Sequence, residues 1–592
     1  MRNKFKKYFH RRQDFSVSDK PVSVVGVWQN GQFVPADKKI KNTFYVKHVP
    51  PSVRLKEGDM LEILLPRRVS SDTAGEFQRK IGHITDAYAP TELAMAEAHL
   101  PHTFSEAAQQ LARQAVVPPL ERGRKDLRDI PFCTIDGADA RDFDDAVWGQ
   151  ITDKGYHVIV AIADVSWYVL PATALDKEAY QRGNSTYFPD RVVPMLPFEL
   201  SNGMCSLNPN EERGALVCDI ELNKKGQKIK HRFYRALICS RARLTYDTVQ
   251  NYMDEGQGIS GEVQTSLDAL IRVYHLLLRA RQNRGVLELD VPERKVELND
   301  KGQILSVKER IQTPSMQLIE ELMILANVSA AETLEKSGVP TMYRIHDKPS
   351  EEKMERFNDF LKSLGQKALG VNVQSKAFNT ILQKMDGKKM DYALNKFVLR
   401  TQSQAEYASD NIGHYGLALS RYAHFTSPIR RYADLLVHRA LVLALKLGQG
   451  ALTDREEKDF DDMAEHISHT ERASANAEQN ALDRYMSRYM ADKIGGLFWG
   501  RISSITSFGV FLTMNETGAD GFVPFRSIKG DYYRVDEKGA RLVGSHTNKV
   551  YKMGDEVPVI LHEADPITGL MQFAFARPKD LKVKDVRGKK IF

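Results

Sequence analysis

The stretch Asp136-Gly137-Ala138-Asp139-Ala140-Arg141-Asp142-Phe143-Asp144-Asp145 places five carboxylates within ten residues, directly after the apolar run 130–135. Like charges this close repel one another and raise each other's pKa, so a folded chain keeps such a cluster only where water or a cation neutralises it. Oxygen ligands favour a hard divalent ion, magnesium or manganese, over zinc or copper. The stretch therefore indicates either a cation site or a solvated acidic turn.

Strand-like apolar runs flank the acidic stretch on both sides. It continues directly into Ala146-Val147-Trp148, and the run 156–163 follows after a turn. Two strands would hold the carboxylates at the end of a sheet, where a fixed metal site is easier to build than in a free turn. A calcium loop of the EF-hand kind does not fit, because its required glycine and glutamate positions hold Arg141 and Val147. We therefore favour the cation site.

Length and charge set broad limits on the protein. A chain of 592 residues is long enough for three or four domains. The overall balance of 84 basic against 77 acidic side chains is only mildly positive, but both ends of the chain are rich in lysine and arginine. Basic termini suit a polyanion such as nucleic acid, and they equally suit solubilising tails. Charge alone leaves both interpretations open.

The cysteines and the hydropathy pattern indicate the compartment. The four cysteines show no CxxC pairing and no histidine at zinc spacing, which predicts a reduced, intracellular protein. No apolar run approaches the roughly 20 residues needed to cross a bilayer. The N-terminus is charged and lacks a following apolar segment. We therefore expect a soluble, cytoplasmic protein with no membrane partner.

Periodicity predicts an α+β multidomain fold. Short β-rich runs separated by turns predict a small barrel over 22–90, and similar alternation predicts a second one over 497–577. A helical linker is expected over 91–127 and a mixed α/β region over 128–496, which ends in a long amphipathic helical stretch. Basic segments 1–21 and 578–592 complete the predicted domain order.

A second motif, Thr426-Ser427-Pro428-Ile429-Arg430-Arg431-Tyr432, predicts a helix start with Ser427 as the N-cap and Pro428 at the first helical position. Arginines in a first turn would repel the positive helix terminus unless an anion is shared between them. Phosphate is the obvious candidate, because Arg430 can bind it through two parallel hydrogen bonds. The alternative is an arginine that is salt-bridged to an acid of the core.

Taken together, the two motifs favour the phosphate interpretation. A carboxylate-held metal and an arginine are sufficient parts for phosphodiester hydrolysis, because the metal activates water and the arginine stabilises the charge that builds on the phosphorus. Such a reaction requires no serine, histidine or cysteine nucleophile. His414, His424 and His438 flank the arginine motif, but single histidines near a helix are more often structural, and we leave them out of the site.

Several long motifs, in order along the chain, closely resemble the ribonuclease II/ribonuclease R (RNB) family. They lie at 134–147, 162–166, 193–197, 200–207 and 425–432. The likeness spans roughly residues 22 to 577. It implies an RNB catalytic domain flanked by OB-type barrels, cold-shock-like at the front and S1-like at the back. It also implies a processive, metal-dependent hydrolase that removes nucleotides from the 3′ end of single-stranded RNA as 5′-monophosphates.

The resemblance also implies roles for single residues, carried over by motif. Asp144 and Arg430 correspond to the catalytic acid and the phosphate-binding arginine. The expected magnesium ligands, with manganese as an alternative ion, are Asp136, Asp142 and Asp145. The expected RNA contacts are Tyr187 (stacking on terminal bases), Tyr246 and Glu321 (sensing the ribose 2′-hydroxyl), Arg431, and Phe508 in the S1-like barrel. Tyr532 and Tyr533 are further candidate base contacts there, while we expect Phe511 in the barrel core.

Two features depart from the family pattern. Leu289 stands where the family usually has a second stacking phenylalanine, which predicts a weaker grip on the last nucleotides. Only one barrel precedes the catalytic region, where bacterial relatives commonly carry two, so action on structured RNA stays open. We expect a monomer, and a partner in an RNA-degradation assembly is left open. The competing hypotheses are a catalytically silent RNA-binding regulator and, less favoured by Tyr246 and Glu321, a DNA exonuclease.

Overall fold

The computed structural model describes residues 21–66, 73–120, 123–291, 293–385, 387, 391–528, 531–535 and 541–576. The predicted basic segments at the two ends lie outside the described residues, apart from Pro21. Among the described helices, none is both long enough and apolar enough to cross a membrane.

Thirteen α-helices are described, together with a π-helical turn at Glu199–Met204 and a 3-10 turn at Phe525–Ser527. The helices are α1 Ala89–Glu97, α2 Glu106–Arg113, α3 Val165–Tyr168, α4 Ala174–Arg182, α5 Tyr246–Glu255, α6 Gly261–Arg284, α7 Pro314–Ser337, α8 Glu351–Ser363, α9 Ser375–Met385, α10 Asp391–Thr401, α11 Tyr432–Leu445, α12 Asp454–Lys458 and α13 Phe460–Ala491.

The described residues form 26 strands. The first half comprises β1 Val22–Gln29, β2 Gln32–Pro35, β3 Tyr45–Lys47, β4 Asp59–Leu65, β5 Ala74–His83, β6 Lys125–Asp126, β7 Cys133–Asp136, β8 Asp145–Thr152, β9 Gly155–Ala163, β10 Thr186–Tyr187, β11 Val192–Val193, β12 Glu212–Asn223 and β13 Lys228–Cys239. The second half comprises β14 Ala242–Thr245, β15 Glu293–Leu298, β16 Ile304–Arg310, β17 Tyr343–Ile345, β18 Glu406–Ala408, β19 Leu497–Ile505, β20 Gly509–Met514, β21 Asp520–Pro524, β22 Tyr533–Val535, β23 Arg541–Gly544, β24 Val550–Lys552, β25 Glu556–Ala564 and β26 Met571–Phe575.

The front of the chain forms a small barrel. Its five strands are ordered β2-β1-β4-β5-β3. Two backbone hydrogen bonds between Phe33 and Phe44, at 2.7 and 2.9 Å, join β2 to the segment that leads into β3. The side chains of Phe33 and Phe44 are both buried in the core of this barrel. The structure therefore has a β-barrel at the front of the chain, as the alternating pattern predicted.

The mixed α/β region between the two barrels is built on a seven-stranded sheet ordered β14-β7-β8-β9-β12-β13-β6. Its central strands β9 and β12 are almost continuously buried, since helices such as α6 and α7 pack against them. Asp136 is the last residue of β7, and Asp145 is the first residue of β8. The acidic stretch is thus the connection between two neighbouring strands at one end of the sheet, as expected.

The arginine motif differs from the prediction. Residues 428–430 form a turn, Arg431 is extended (φ −136°, ψ 124°), and α11 begins only at Tyr432. The expected helix start at Ser427 and Pro428 is therefore wrong. The cause is tertiary, because the segment at 183–185 pairs with this backbone: Ser185 N–H donates to Arg430 O at 3.0 Å, and Tyr432 N–H donates to Gly183 O at 2.9 Å.

The back of the chain forms a closed barrel of strands β19-β20-β21-β26-β25. It shares one hydrophobic core with helices α8 to α10, whose buried residues include Phe357, Phe378 and Leu394. Polar contacts support this packing, since Lys396 Nζ donates to Thr513 Oγ1 at 2.8 Å and Arg400 Nη1 donates to Ser503 O at 3.1 Å. The barrel is therefore held directly against the catalytic region.

Helix α13 connects the two barrels. The buried guanidinium of Arg484 pairs with Glu97, the last residue of α1, at 2.6 Å. It donates to Ile567 O, between β25 and β26 of the C-terminal barrel, at 2.7 Å. It also reaches Ala36 O of the front barrel at 3.5 Å. Burial of an arginine is favourable only where its charge and donors find partners. One side chain thereby fixes the front barrel, α13 and the back barrel to one another.

Candidate active site

The acidic stretch and the arginine motif meet in space. The Ile429 N–H donates to Asp144 Oδ1 at 2.9 Å, and Arg430 Nε lies 3.6 Å from Asp144 Oδ2. Asp144 is only 4% exposed. The catalytic acid and the phosphate-binding arginine expected from the sequence therefore occupy one site, at the end of the seven-stranded sheet.

Two carboxylate oxygens of this site are buried without a hydrogen-bond partner, Asp144 Oδ2 and Asp145 Oδ2. Burial raises the pKa of Asp144 well above its usual value, against the opposing effect of Arg430. Burial, and then the neighbouring Asp136 carboxylate, raise the pKa of Asp145 to about 7. Burial also raises the pKa of Asp136. Three adjacent acids are thus held in surroundings that disfavour their charged forms unless a cation is present.

The donor set fits a hard divalent ion. Buried carboxylate oxygens without hydrogen bonds are suitable ligands for magnesium or manganese. Among the residues that the structure describes, no group of three or more His, Cys, Asp or Glu side chains is arranged to hold a metal by itself. Magnesium typically uses one or two carboxylates and completes its shell with water and phosphate oxygens. Asp144 Oδ2 and Asp145 Oδ2 are buried oxygens of this kind. That Asp136, Asp142 and Asp145 hold the ion stays a prediction.

The two neighbouring arginines have different environments. The Arg430 side chain is 46% exposed and donates to Ser427 Oγ at 3.2 Å, so most of its donors stay open. Arg431 instead makes two hydrogen bonds to the fully buried Asp434, at 2.7 and 2.8 Å. Of the two alternatives for the arginine motif, Arg431 therefore fits the salt bridge to a core acid rather than phosphate binding. An RNA contact by Arg431 stays a prediction that would have to share this ion pair.

Tyr187 lies at the same site. Its ring is 39% exposed, and its hydroxyl donates to Asp142 Oδ2 at 3.0 Å. Tyr187 and Arg430 line a cleft of about 160 Å³. The structure thus brings the aromatic residue that we expect to stack on a base against one of the acids that we expect to hold the metal.

The two residues expected to sense ribose differ in their surroundings. Tyr246 follows β14, which pairs with β7 so that Thr245 lies opposite Asp136. Burial, and then Asp136 and Asp145, raise the pKa of the Tyr246 hydroxyl. Glu321 on α7 is buried and forms an ion pair of 2.7 Å with Arg281. Tyr246 therefore lies near the acids, and ribose sensing by Tyr246 and by Glu321 stays a prediction.

An aromatic cluster lies on the outside of the C-terminal barrel. Phe508 is 61% exposed, and its ring centroid is 6.3 Å from that of Phe511 and 5.8 Å from that of Phe522. Phe511 is only half-buried, because the alternation along β20 points Val510 and Leu512 inward. The expectation that Phe511 belongs to the core is therefore wrong, and it adds to the exposed aromatic surface.

The histidines near the arginine motif have structural contacts. His424 shares a hydrogen bond of 2.8 Å with Tyr407, and His438 Nε2 contacts Phe425 O at 2.7 Å. Burial lowers the pKa of His438 to about 4 and that of His414 to about 3. These rings are therefore neutral at physiological pH.

Sequence reasoning missed the groups that support the acidic stretch. Arg243 Nη2 donates to Ala138 O at 2.7 Å and to Ala140 O at 3.2 Å. Lys295 Nζ pairs with Asp139 Oδ2 at 2.9 Å. These partners lie over a hundred positions away along the chain, and only their arrangement in space reveals them.

Comparison with known families decides the relationship. The family model of the RNB domain matches residues 124–447, which is more than half of the chain. The chain belongs to the RNB family. The resemblance inferred from the motifs is thereby confirmed. A model described as S1 RNA binding domain matches residues 492–571 of this RNB protein, in agreement with the closed barrel there.

Individual relatives agree with this assignment. Ribonuclease R of Vibrio parahaemolyticus is 38% identical over 546 residues, covering 89% of this chain and 65% of the relative. Ribonuclease R of Escherichia coli is 36% identical over 549 residues, covering 89% and 67%. The RNB chain thus spans about two thirds of the length of these curated relatives. A solved structure of Mycoplasma genitalium RNase R in complex with ribose methylated single-stranded RNA matches with a TM-score of 0.87 and 27% identity, covering 94% of this chain and 90% of that one. The predicted fold class is confirmed.

Proposed function

We propose that this RNB protein is a processive, magnesium-dependent 3′→5′ exoribonuclease that hydrolyses single-stranded RNA to nucleoside 5′-monophosphates. Manganese is the alternative ion. The proposal includes a role in RNA degradation and a monomeric enzyme in the cytoplasm. The four cysteines carry free thiols, as a reducing compartment requires.

One observation carries the proposal. Asp144 Oδ2 is buried, accepts no hydrogen bond, and lies 3.6 Å from the guanidinium of the half-exposed Arg430. A carboxylate in this position can share a cation with its acidic neighbours, while the arginine reaches toward a phosphate. The match of the RNB domain model to residues 124–447 supports the proposal.

The residues of the chain have distinct tasks in the proposed reaction. A water oxygen forms the new bond to phosphorus and gives up a proton, while the bond between phosphorus and the 3′ oxygen of the shortened RNA breaks. That 3′ oxygen takes up a proton, and the released nucleotide carries the 5′-phosphate. When bound at Asp136, Asp142 and Asp145, a divalent ion supplies Lewis-acid chemistry for this step. The Ile429 N–H fixes the Asp144 carboxylate through Oδ1 and leaves its Oδ2 beside Arg430. Arg430 stabilises the negative charge that develops on the phosphoryl oxygens.

We assign RNA contacts along a path from the barrel to the site. Phe508 stacks on upstream bases, since it is exposed within an aromatic cluster and every base offers a π face. Tyr187 stacks on the terminal base. Tyr246 and Glu321 select RNA over DNA through the 2′-hydroxyl. The related RNase R of Mycoplasma genitalium was solved with single-stranded RNA, which supports this substrate class.

The test is incubation with a 5′-labelled, unstructured oligoribonucleotide and magnesium. We expect mononucleotides and a short residual fragment, no products in EDTA, and no products from DNA of the same sequence. A catalytically silent RNA-binding regulator would bind the RNA without shortening it. If the first products were fragments cut from within the RNA, rather than single nucleotides from its 3′ end, the proposal would also be contradicted. A second RNA that contains a stable duplex shows whether the enzyme degrades through base-paired RNA or stops at the duplex.

A further inference from the structure

The hairpin of β15 and β16 contacts both ends of the fold. At its turn, Asp300 O accepts a hydrogen bond from Tyr88 Oη at 3.4 Å, which joins the turn to the segment behind the front barrel. On β15, Arg294 packs against Gly518, which lies between β20 and β21 of the back barrel. The same strand reaches the acidic stretch through Lys295. The hairpin therefore borders the front barrel, the back barrel and the acidic site.

The two faces of this hairpin differ in character, because side chains alternate between the faces of a strand. The inner face packs on the core shared with the C-terminal barrel through four aliphatic side chains, Val296, Leu298, Ile304 and Val307. The outer face carries three exposed cations, Lys295, Lys308 and Arg310. We call these three residues the cationic face.

Two lysines of the cationic face lie directly opposite each other. The register of β15 and β16 pairs Lys295 with Lys308. Like charges at directly opposite positions destabilise a pair of strands. Their ammonium groups turn to different acids, since Lys295 Nζ lies 2.9 Å from Asp139 and Lys308 Nζ lies 2.9 Å from Glu297. An anion shared by the two lysines explains this pair better than the stability of the hairpin does.

Both ion pairs can be exchanged for a phosphate. Each of the four side chains is at least 41% exposed, and an exposed ion pair contributes only about 0–1 kcal/mol. A phosphate oxygen accepts the same ammonium donors as a carboxylate does. The hydrogen bond from Lys295 lowers the pKa of Asp139, and the charge of Arg310 lowers it further. The cationic face therefore extends to the edge of the acidic site.

We propose that the cationic face binds phosphates of the single-stranded RNA backbone and guides the strand from the barrels to the acidic site. This inference rests on the proposed function, because its ligand is the RNA substrate. Phosphate contacts position a nucleic acid without reading its sequence. Such a face suits a processive enzyme, which has to hold every sequence in turn.

The test measures RNA binding by fluorescence anisotropy with the full chain, a labelled oligouridylate, and EDTA to prevent hydrolysis. Lys295→Ala and Lys308→Ala each remove one cation. In single strands, each neutralised phosphate contributes about 0.7 to the slope of log Kd against the logarithm of the salt concentration. We expect each variant to lower this slope by about 0.7 and to raise Kd about fivefold at about 0.1 M salt. An oligoadenylate should show the same losses.

Lys230 provides a matched control. It forms an exposed ion pair of 2.9 Å with Glu221, and its side chain is 67% exposed, against 65% for Lys308. It lies on β13, in a different sheet. Lys230→Ala should therefore keep the parental slope and Kd. Lys308→Arg keeps the cation and should keep the parental slope as well.

Removal of the competing acid should have the opposite sign. Glu297→Gln leaves Lys308 without its carboxylate partner, so Kd should fall about twofold, as the small free energy of an exposed ion pair implies. Glu221→Gln, the matched change beside Lys230, should not alter Kd. General damage to the hairpin would instead weaken binding in every hairpin variant.

Several results would overturn the inference. A parental slope in both lysine variants would do so, as would an equal change in Lys230→Ala. Weaker binding by Glu297→Gln would show that the hairpin acts only through its fold, which also contradicts the inference. A parental chain that binds neither oligonucleotide would instead refute the proposed function, so the two failures are distinguishable.

Discussion

The main-chain N–H of Ile429 donates to the side chain of Asp144 at 2.9 Å, although the two residues are 285 positions apart. This bond joins the acidic stretch to the arginine motif. It leaves Asp144 Oδ2 buried and free of hydrogen bonds, beside Arg430. The predictions below test what each member of this junction does.

Asp144→Asn should lower the rate of mononucleotide release by about 100-fold or more, because one electrostatic group of a reaction site typically contributes that much. Its thermal stability should be at least parental, since a neutral amide replaces a carboxyl whose pKa burial has raised. Product gels and thermal unfolding check the two expectations. Release of mononucleotides at the parental rate would show that the catalytic assignment is wrong.

Arg430 and Arg431 should give opposite phenotypes. Arg430→Ala should lower kcat about 100-fold with little change in melting temperature, because its side chain is half-exposed and open to phosphate. Arg431→Ala leaves the buried Asp434 without its cation and should cost about 3 kcal/mol of stability. Steady-state kinetics and denaturant unfolding of both variants make the comparison. Equal losses of stability would contradict the distinction.

The acidic site should make magnesium binding dependent on pH. The pKa of Asp145 rises from an ordinary value of 3.8 to about 7. The folded chain then holds this proton more tightly than the unfolded chain, so the free energy of unfolding falls as the pH rises from about 4 to about 7. A cation that binds the ionised carboxylate removes this loss.

We therefore expect magnesium to raise the melting temperature more at pH 8 than at pH 5.5, relative to EDTA. Thermal unfolding at the two pH values measures the difference. Asp145→Asn is the matched control and should show a smaller magnesium effect that varies less with pH, because the pKa values of Asp136 and Asp144 remain raised. An equal gain at both pH values in the parental protein would argue against a cation at Asp145.

Leu289→Phe should tighten the hold on the last nucleotides. Leu289 is half-buried against the core shared with the C-terminal barrel. The family resemblance led us to expect a phenylalanine at this position. A ring there can stack on a base, which is worth about 1–3 kcal/mol. We expect a shorter residual fragment on product gels. Fragments of the same length from both proteins would contradict the idea that this position limits the grip.

Phe508→Ala should weaken RNA binding about tenfold, because an exposed ring in an aromatic cluster offers stacking energy of about 1–3 kcal/mol. Fluorescence anisotropy in an Asp144→Asn background measures the dissociation constant without degradation. Val550→Ala is the control, since it removes an exposed aliphatic side chain near the same barrel. Similar affinities for both variants would remove Phe508 from the RNA path.

The sequence supported many local assignments. Alternation predicted both barrels, and helical periodicity predicted the long stretch that forms α12 and α13. The flanking apolar runs placed the acidic stretch between β7 and β8. The start of α11 was missed, because Ser427 and Pro428 favour a helix start locally while pairing with residues 183–185 extends the backbone. The burial of Phe511 was misjudged for a related reason, since the strand's register decides which ring faces inward.

By itself, the sequence determined the chemistry available to this protein: the carboxylates, the arginine pair and the order of domains, each legible because its pattern is local. Only the tertiary structure decided which of those groups act together. It paired Arg431 with Asp434, left Arg430 open beside Asp144, and tied Tyr187 to both Asp142 and Glu478. Such contacts join residues far apart in the chain, and their formation depends on how the whole core packs rather than on any neighbouring residues.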